Sequence, residues 1–171
     1  MGVSSHTFDK GMVEAALSRS GGVALGAYAY GPELPASMRN AKPTGKKVGH
    51  VYIHVKGDGD NLVGANAGRD DRSLFADTQT AVNAIVEVLA TATCKSALGR
   101  LDQDPQPNAQ EWIKSIPVTG HYYGYAAGQN ATKRKIATVA INMRSHGDAL
   151  FISSCYPDSF QAAPAPALAG T

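Results

Sequence analysis

Residues 136–157, IATVAINMRSHGDALFISSCYP, predict two β-strands joined by a turn. Both arms are apolar and contain β-branched or aromatic residues, whereas the connection RSHGDA carries the glycine and aspartate that turns favour. A further strand is predicted within HYYGYAAG, residues 121–128, which precedes the pair across the connection QNATKR. Because the three strands follow one another as a meander, we expect mainly antiparallel pairing.

The last of these strands, ALFISSCYP, has two faces of different character. Alternation predicts Leu150, Ile152, Ser154 and Tyr156 on one face, and Phe151, Ser153 and Cys155 on the other. A hydroxyl and a phenol therefore stand side by side near the end of the strand, which Pro157 is expected to terminate. By itself such a pair is more typical of the polar rim of a sheet than of a functional site.

The segment HVYIHV, residues 50–55, alternates polar and β-branched residues with the period of a strand. In a strand the valines and the isoleucine would face the core. His50, Tyr52 and His54 would share the opposite, accessible face. The glycine- and aspartate-rich stretch that follows, residues 57–73, is predicted to be a loop.

Three segments are predicted to be helical, which together with the strands predicts an α+β fold. The strongest is ADTQTAVNAIVEVLATA, residues 76–92, with Asp77 or Thr78 as its N-cap. Its predicted buried stripe comprises Ala81, Val82, Ile85, Val88, Leu89 and Ala92. A weaker candidate spans residues 8–17, with an apolar stripe of Met12, Val13, Ala16 and Leu17. NAQEWIKSI, residues 108–116, is predicted to be a short helical turn.

Length and composition indicate one folded domain and say little about partners. The 171 residues are 43% hydrophobic and 18% charged, which is ordinary for a folded chain. A formal charge of +2 is too small to indicate a nucleic-acid-binding protein. Cys94 and Cys155 lack the spacing of a metal site, so buried thiols, one disulfide or a reactive thiol remain open alternatives.

The chain is predicted to have three parts. Residues 1–45 contain the first helix and much of an irregular, proline-containing connection, and residues 46–158 form the main domain. Residues 159–171 are expected to form a flexible tail rich in alanine and proline. No apolar run approaches the roughly 20 residues that cross a bilayer. The beginning of the chain lacks the basic and apolar regions of a signal peptide, so we expect no membrane segment and no cleavable signal.

The order of these segments resembles the bacterial ribonuclease A-like toxin domain found at the C-termini of contact-dependent inhibition and other polymorphic toxins. The resemblance covers residues 49–157 and rests on GHVYIHV, DRSLFADTQTAVNAIVEVL, a lone Trp112 and the terminal TVAINMRSHGDALFISSCYP. It implies a ribonuclease A-like fold, in which N-terminal helices pack on a mainly antiparallel, curved sheet. It also implies a metal-independent endoribonuclease used in competition between bacteria.

The resemblance also implies a set of active-site residues. In that family, a histidine before a valine, a following arginine and a Thr-x-Tyr-Pro ending supply the site. His54 matches the histidine, Ser154 stands in place of the threonine, and Tyr156 matches the tyrosine. Arg69 is the preferred match for the arginine, with Arg72 as the alternative. His50 is a lesser candidate, because it lies one residue closer to the matched histidine than the family's second histidine does.

These residue types suit the cleavage of RNA by attack of the ribose 2′-hydroxyl on the adjacent phosphate. The reaction needs a base, an acid and a cation that stabilises the charge gathering on the phosphate. Histidine has an unperturbed pKa near 6.5 and can carry the protons at neutral pH. An arginine can hold the nonbridging oxygens in a bidentate contact, and two hydroxyls can donate to the same phosphate. The chemistry requires no metal, so no cofactor is expected.

Two further groups are candidates for RNA binding. Tyr123 and Tyr125 alternate onto one strand face, where they could stack unpaired bases or simply pack as a tyrosine cluster. Lys133, Arg134 and Lys135 could attract phosphates or form an ordinary solvated turn. A zinc site at the two histidines of HVYIH is disfavoured because the segment lacks the glutamate of HExxH.

Two other function classes remain open. The first is a non-catalytic binding or adaptor domain whose histidines satisfy a polar sheet face. The second is a toxin of different chemistry, such as an ADP-ribosyltransferase, which is disfavoured because every glutamate lies in a predicted helix or in the proline-rich connection. These glutamates are Glu14, Glu33, Glu87 and Glu111.

The toxin resemblance implies partners and a place of action. The expected partners are an RNA substrate and a cognate immunity protein, with delivery by a larger carrier or a secretion apparatus and with no membrane association. The protein would leave its producer without a cleavable signal peptide and act in the cytoplasm of a target cell. A positive substrate-binding surface would favour an acidic immunity protein.

Overall fold

The computed structural model describes residues 2–13, 27–30, 50–56, 72–106, 109–129, 132–146 and 149–162. These residues form an α+β fold in which a few helices accompany an antiparallel sheet that curls into a half-barrel. The predicted fold class is therefore confirmed.

Among the described residues the sheet has six strands, and it branches at the longest of them. The strands are β1 (Ala27–Tyr30), β2 (Leu74–Phe75), β3 (Gln110–Pro117), β4 (Tyr123–Tyr125), β5 (Arg134–His146) and β6 (Ala149–Phe160). Their order is β1-β6-β5-β4-β2, and β3 also pairs with β5. The first residues of β5 pair with β4, whereas residues 138–144 pair with β3. Because β5 exchanges one neighbour for another along its length, the sheet can curl instead of remaining flat.

The predicted pair of strands at residues 136–157 is the centre of this sheet. β5 and β6 are both longer than predicted and pair antiparallel. Pro157 does not end β6, contrary to the prediction, but pairs with Val139. The pairing of β1 with β6 ends at Ile152, so Pro157 has a described neighbouring strand on one side only. A residue without an N–H is tolerated at such an edge.

Two successive helices cover one face of the sheet. α1 (Thr78–Leu89) begins at the predicted cap, where the Asp77 carboxylate accepts a hydrogen bond of 2.7 Å from Thr80 N. The predicted buried residues are confirmed except for Ala92, which is exposed and begins the next helix. α2 (Ala92–Gln103) was not predicted. Its buried residues Cys94, Ala97, Leu98 and Leu101 nevertheless have helical spacing, and Thr91 caps it.

The prediction of a helical turn at residues 108–116 is wrong, because this segment is the strand β3. Its backbone pairs with β5 along most of its length, and those hydrogen bonds outweigh a weak local preference. Ser115 has a positive φ of 58° at a register shift in β3. The Ser115 N–H donates to the Asp158 carboxylate at 2.6 Å, so the irregular residue keeps a hydrogen-bond partner.

Apolar side chains from both ends of the described chain meet in one core. Val3, Phe8 and Val13 join α1, α2 and the inner face of the sheet there. Within the predicted helix at residues 8–17, residues 10–13 are helical and residues 14–17 lie outside the described residues.

Cys94 and Cys155 are free and buried, which agrees with two buried thiols. Burial raises the pKa of both thiols, so neither has the character of a reactive thiolate.

The α2 residue Asp102 anchors the N-terminal segment. Its carboxylate accepts hydrogen bonds from Val3 N at 2.7 Å, from Ser4 N at 2.9 Å and from the Ser4 hydroxyl. Partial burial acts to raise the pKa of this carboxyl. The hydrogen bonds from Ser4 and Val3 and the charge of His6 outweigh burial, and the net pKa is lowered.

We therefore expect Asp102→Asn to lower the free energy of unfolding at neutral pH by about 1 kcal/mol, as for the loss of an exposed cap. Because the pKa is lower in the folded protein, the wild-type contribution is complete above the unfolded pKa of about 3.9 and is lost as the pH falls through the folded pKa. Urea unfolding of both proteins at a series of pH values should show their stabilities converging below pH 4. A constant difference at all pH values would contradict the assignment.

No single helix among the described residues is long and apolar enough to cross a membrane. α1 and α2 pass such a test together, by length and composition only, but their axes are bent by 73° at the break between them.

Candidate active site

The histidine segment is not the strand that its alternation predicts. Residues His50–His54 form a 3-10 helix, and only Val55 makes an isolated parallel bridge, to Phe75. Three residues per turn place His54 on the same side as Val51, so both side chains are buried. The exposed fraction of His54 is 9%, which contradicts the predicted accessible face. The side chains of His50 and Tyr52 lie outside the described residues.

The orientation of the His54 ring is set from the segment before α1. His54 Nδ1 lies 2.9 Å from the carbonyl oxygen of Ser73. A carbonyl can only accept, so Nδ1 carries the proton of this hydrogen bond. Nε2 is then the nitrogen that can gain or lose a proton while the contact with Ser73 remains. This arrangement suits a histidine that works as a general base.

Tyr156 of β6 lies against His54. The two rings stack with centroids 5.0 Å apart and planes at 29°. Trp112 of β3 makes an edge contact with the Tyr156 ring, with the ring centroids 6.5 Å apart and the planes at 60°. Burial raises the pKa of the Tyr156 phenol, the negative charge of Asp158 adds to this effect, and a hydrogen bond from Trp112 opposes it. The net pKa is raised, so Tyr156 keeps its proton at neutral pH and can donate it in a hydrogen bond.

The register of the sheet explains why these side chains meet. Tyr156 pairs with Ala140, while Asn142 pairs with Ser154 on one side and with Trp112 on the other. Directly paired residues share a face. The methyl side chain of Ala140 leaves space for rings from β3 and β6 to meet across β5.

The opposite face of the same strands supplies the core. Ile141, Met143 and Cys155 are fully buried there, and Glu111 of β3 binds Arg100 of α2 at 2.7 Å. Glu111 therefore lies in a strand, not in the predicted helix, and points toward α2. We call the residues Trp112, Asn142, Ser154 and Tyr156, together with His54, the polar face.

A bulge in β6 separates residues that simple alternation had grouped. Ser154 and Tyr156 share the polar face as predicted, but Ile152 pairs with Met143 on the core face. Between Ile152 and Ser154 the register shifts, which leaves Ser153 without a paired residue on β5. One extra residue is enough to reverse the side on which the following residues lie.

Of the two candidate arginines, only Arg72 lies among the described residues. Arg69 lies outside the described residues. Arg72 lies directly before Ser73, whose carbonyl orients His54. The Arg72 Nη1 atom is buried and has no hydrogen-bond partner within the described parts of the chain. Such a nitrogen is suited to bind an oxyanion.

Sequence reasoning missed Asn142 on the polar face and Arg144, two residues further along β5, and it gave Trp112 no role. In INMR, residues 141–144, polar side chains alternate with buried Ile141 and Met143, and that period of two was the available signal. Arg144 pairs with Gln110, and its Nε atom is buried without a hydrogen-bond partner in the described structure.

The predicted RNA-binding tyrosines lie on β4 near the histidine segment. Tyr123 is 44% exposed, and Lys56 Nζ lies 3.9 Å above the centre of the Tyr125 ring. Lys56 follows His54 by two residues, so this contact places Tyr125 beside the segment that carries the histidine. Lys133 is exposed, whereas Arg134 and Lys135 are half-buried at the start of β5 and not in a turn.

Within the described ranges, no group of three or more His, Cys, Asp or Glu side chains could hold a metal ion. No family model, no curated protein and no solved structure matches this chain.

Proposed function

We propose that this protein is a metal-independent endoribonuclease that cleaves RNA by attack of a ribose 2′-hydroxyl on the adjacent phosphate, and that it acts as a toxin of the ribonuclease A-like type. The observation that carries the proposal is the stack of His54 on Tyr156, with the histidine oriented by the Ser73 carbonyl. A histidine with one nitrogen anchored and a protonated phenol beside it supply two of the groups that this reaction needs.

The proposed roles follow from these contacts. His54 Nε2 accepts the proton of the 2′-hydroxyl as its oxygen bonds to phosphorus. The bond from phosphorus to the 5′-oxygen then breaks, which yields a cyclic 2′,3′-phosphate and a free 5′-hydroxyl. Tyr156 is our candidate for the acid that protonates this oxygen, and His50 is the alternative. Ser154 donates a hydrogen bond to the phosphate.

A cation must balance the charge that gathers on the phosphate during the reaction. Arg72 is the candidate within the described residues because a buried nitrogen of its guanidinium has no hydrogen-bond partner there. Arg69, preferred on the resemblance, remains the alternative. Either arginine would act by a bidentate contact with the nonbridging oxygens.

Exposed rings and basic groups beside the site support a single-stranded RNA substrate. Trp112 is 51% exposed, and Lys114 Nζ lies 5.7 Å from the centre of its ring. Tyr123 and Tyr125, with Lys133, Arg134 and Lys135 nearby in β5 or just before it, extend this surface. Aromatic rings stack unpaired bases, and basic side chains attract the phosphates between them.

The toxin proposal includes partners and a route. We propose that the protein is exported from its producer by a larger carrier or a secretion apparatus and acts on RNA in the cytoplasm of a target cell. A cognate immunity protein would protect the producer by covering the polar face. An acidic partner would complement the lysines and arginines near this face.

The proposal predicts cleavage of RNA in the presence of EDTA. The purified chain should cut a short RNA oligonucleotide and leave a cyclic 2′,3′-phosphate, detected by mass spectrometry. Replacing the 2′-hydroxyl by hydrogen at the cleaved residue should abolish the cut, because the nucleophile is then missing. Intact RNA at high protein concentration, or equal cleavage of the 2′-deoxy substrate, would refute the mechanism.

A further inference from the structure

We propose that Asn142 reads the nucleobase beside the scissile phosphate, in a subsite whose wall is Trp112. This inference rests on the ribonuclease activity proposed above and names the part of the substrate that the polar face selects. Asn142 pairs directly with Ser154, two residues from the Tyr156 ring that stacks on His54. It therefore lies within one nucleotide of the reacting groups.

The Asn142 side chain is almost fully buried yet incompletely bonded. Its exposed fraction is 2%. The amide Nδ2 donates to Gln110 Oε1 at 3.4 Å, whereas Oδ1 is buried and has no hydrogen-bond partner among the residues that the structure describes. Leaving a buried acceptor without a donor is costly, so such an atom in a folded protein calls for an explanation. A ligand that supplies the donor explains it.

The chemistry of Asn142 Oδ1 determines which part of an RNA can bind to it. Ionised phosphate oxygens only accept hydrogen bonds, so Oδ1 cannot bind the phosphate that His54 and Tyr156 serve. Nucleobases carry N–H donors on their Watson–Crick edges, and unpaired RNA presents those edges to proteins. The neighbouring Ser154 hydroxyl donates its one proton to the phosphate, and its oxygen can still accept a second N–H of the same base.

Trp112 supplies the stacking surface that a base in this place needs. Trp112 is the cross-strand partner of Asn142 on the same face, and the residue is 51% exposed. The edge contact with Tyr156 holds the ring beside the candidate catalytic groups. A base stacked on Trp112 can direct its edge toward Asn142, as single-stranded RNA is commonly bound.

Binding of nucleoside 3′-monophosphates tests the inference without any need for cleavage. Trp112 is the only tryptophan in the sequence, so quenching of protein fluorescence reports stacking on its ring. Each nucleotide is compared with an analogue in which the N–H donors of the base are methylated, such as uridine with 3-methyluridine. For the preferred base, methylation should weaken binding to the wild type roughly tenfold or more.

Asn142→Leu should remove this sensitivity to methylation, because the acceptor is gone. Asn142→Asp keeps an acceptor and should retain the sensitivity, although its charge weakens binding of every nucleotide. Asn83→Leu, the same change on α1, should behave as the wild type, since Asn83 bonds to Gln79 on its own helix. Thermal unfolding of each variant confirms that it is folded.

The outcomes distinguish the subsite from the proposed function. If methylation of the base weakens binding to the wild type but not to Asn142→Leu, the result supports the subsite. It does so even if the wild type cleaves no RNA, in which case only the ribonuclease proposal fails. RNA cleavage without any nucleotide-dependent quenching of Trp112 overturns the subsite and leaves the ribonuclease proposal standing. The subsite is also overturned if base methylation weakens binding equally in the wild type and Asn142→Leu. The same holds if a folded Asn142→Asp protein no longer responds to base methylation.

Discussion

Replacing His54 by alanine should lower the rate of RNA cleavage by roughly 100- to 10,000-fold, the usual contribution of a general base. The ring holds its orientation through the Ser73 carbonyl, 2.9 Å from Nδ1, and through the stack on Tyr156. Alanine removes the proton acceptor and leaves the hydroxyls of Ser154 and Tyr156 in place. The measurement is the initial rate of cleavage of an RNA oligonucleotide in EDTA.

Two controls separate the chemistry from a loss of structure. His121→Ala removes an exposed histidine next to Gly120, whose N–H donates to Glu87 of α1, and it should leave the rate unchanged. Added imidazole should partly restore cleavage by His54→Ala, because a small base can enter the space left by the ring. Wild-type activity in a folded His54→Ala protein would exclude His54 as the base and with it the proposed mechanism.

Replacing Gly124 by alanine should destabilise the protein by about 1–3 kcal/mol, as expected for an overpacked site. A Cβ atom at this position would lie 2.3 Å from the carbonyl oxygen of Leu74 and 3.3 Å from Ile136 Cδ1. The Leu74 oxygen belongs to the backbone of β2, which pairs with β4 at this point, so the two strands would have to separate. The free energy of urea unfolding measures the effect.

The same substitution in α2 is the matched control. An added Cβ at Gly99 meets nothing within 4 Å among the described residues, and alanine is the better helix former by about 0.5–1 kcal/mol. Gly99→Ala should therefore stabilise the protein while Gly124→Ala destabilises it. Equal stability of Gly124→Ala and the wild type would show that β2 and β4 do not approach so closely.

The Gly124→Ala substitution should affect the candidate site as well as the stability of the protein. Leu74 follows Ser73, whose carbonyl accepts the hydrogen bond from His54. A displacement of β2 should move this carbonyl, so we expect Gly124→Ala to cleave RNA more slowly even at temperatures where it remains folded. Gly99→Ala should cleave at the wild-type rate, because α2 lies against the core face.

The local signals in the sequence differed in how well they predicted the structure. α1 was predicted with its cap and its buried face, because Asp77 and the spacing of the apolar residues act within one helix. The strand predicted for HVYIHV is wrong, although polar and apolar residues alternate throughout this segment. Its residues form a 3-10 helix, in which His54 is buried on the side of Val51. In a segment of six residues, packing against β6 and the bond to Ser73 outweigh an alternating pattern.

Most residues of the candidate site could be predicted from the sequence, but their arrangement in space could not. The resemblance supplied His54, Ser154 and Tyr156, and alternation placed the last two on one face. Neither indicated that Trp112 would join them, because the segment around it was predicted to be helical. Asn142 becomes a candidate only through its pairing with Trp112 and Ser154.

The sequence by itself determined the α+β class, the first long helix and the pair of strands that forms the centre of the sheet. These features depend on the periods of apolar residues, on a cap and on a turn, all of which act between near neighbours in the chain. Only the tertiary structure decided that residues 50–54 form a helix, that residues 110–117 form a strand and that His54 meets Tyr156. Those outcomes depend on pairing partners distant in the chain and on a bulge at Ser153, and a shift of one residue reverses the face on which a side chain lies.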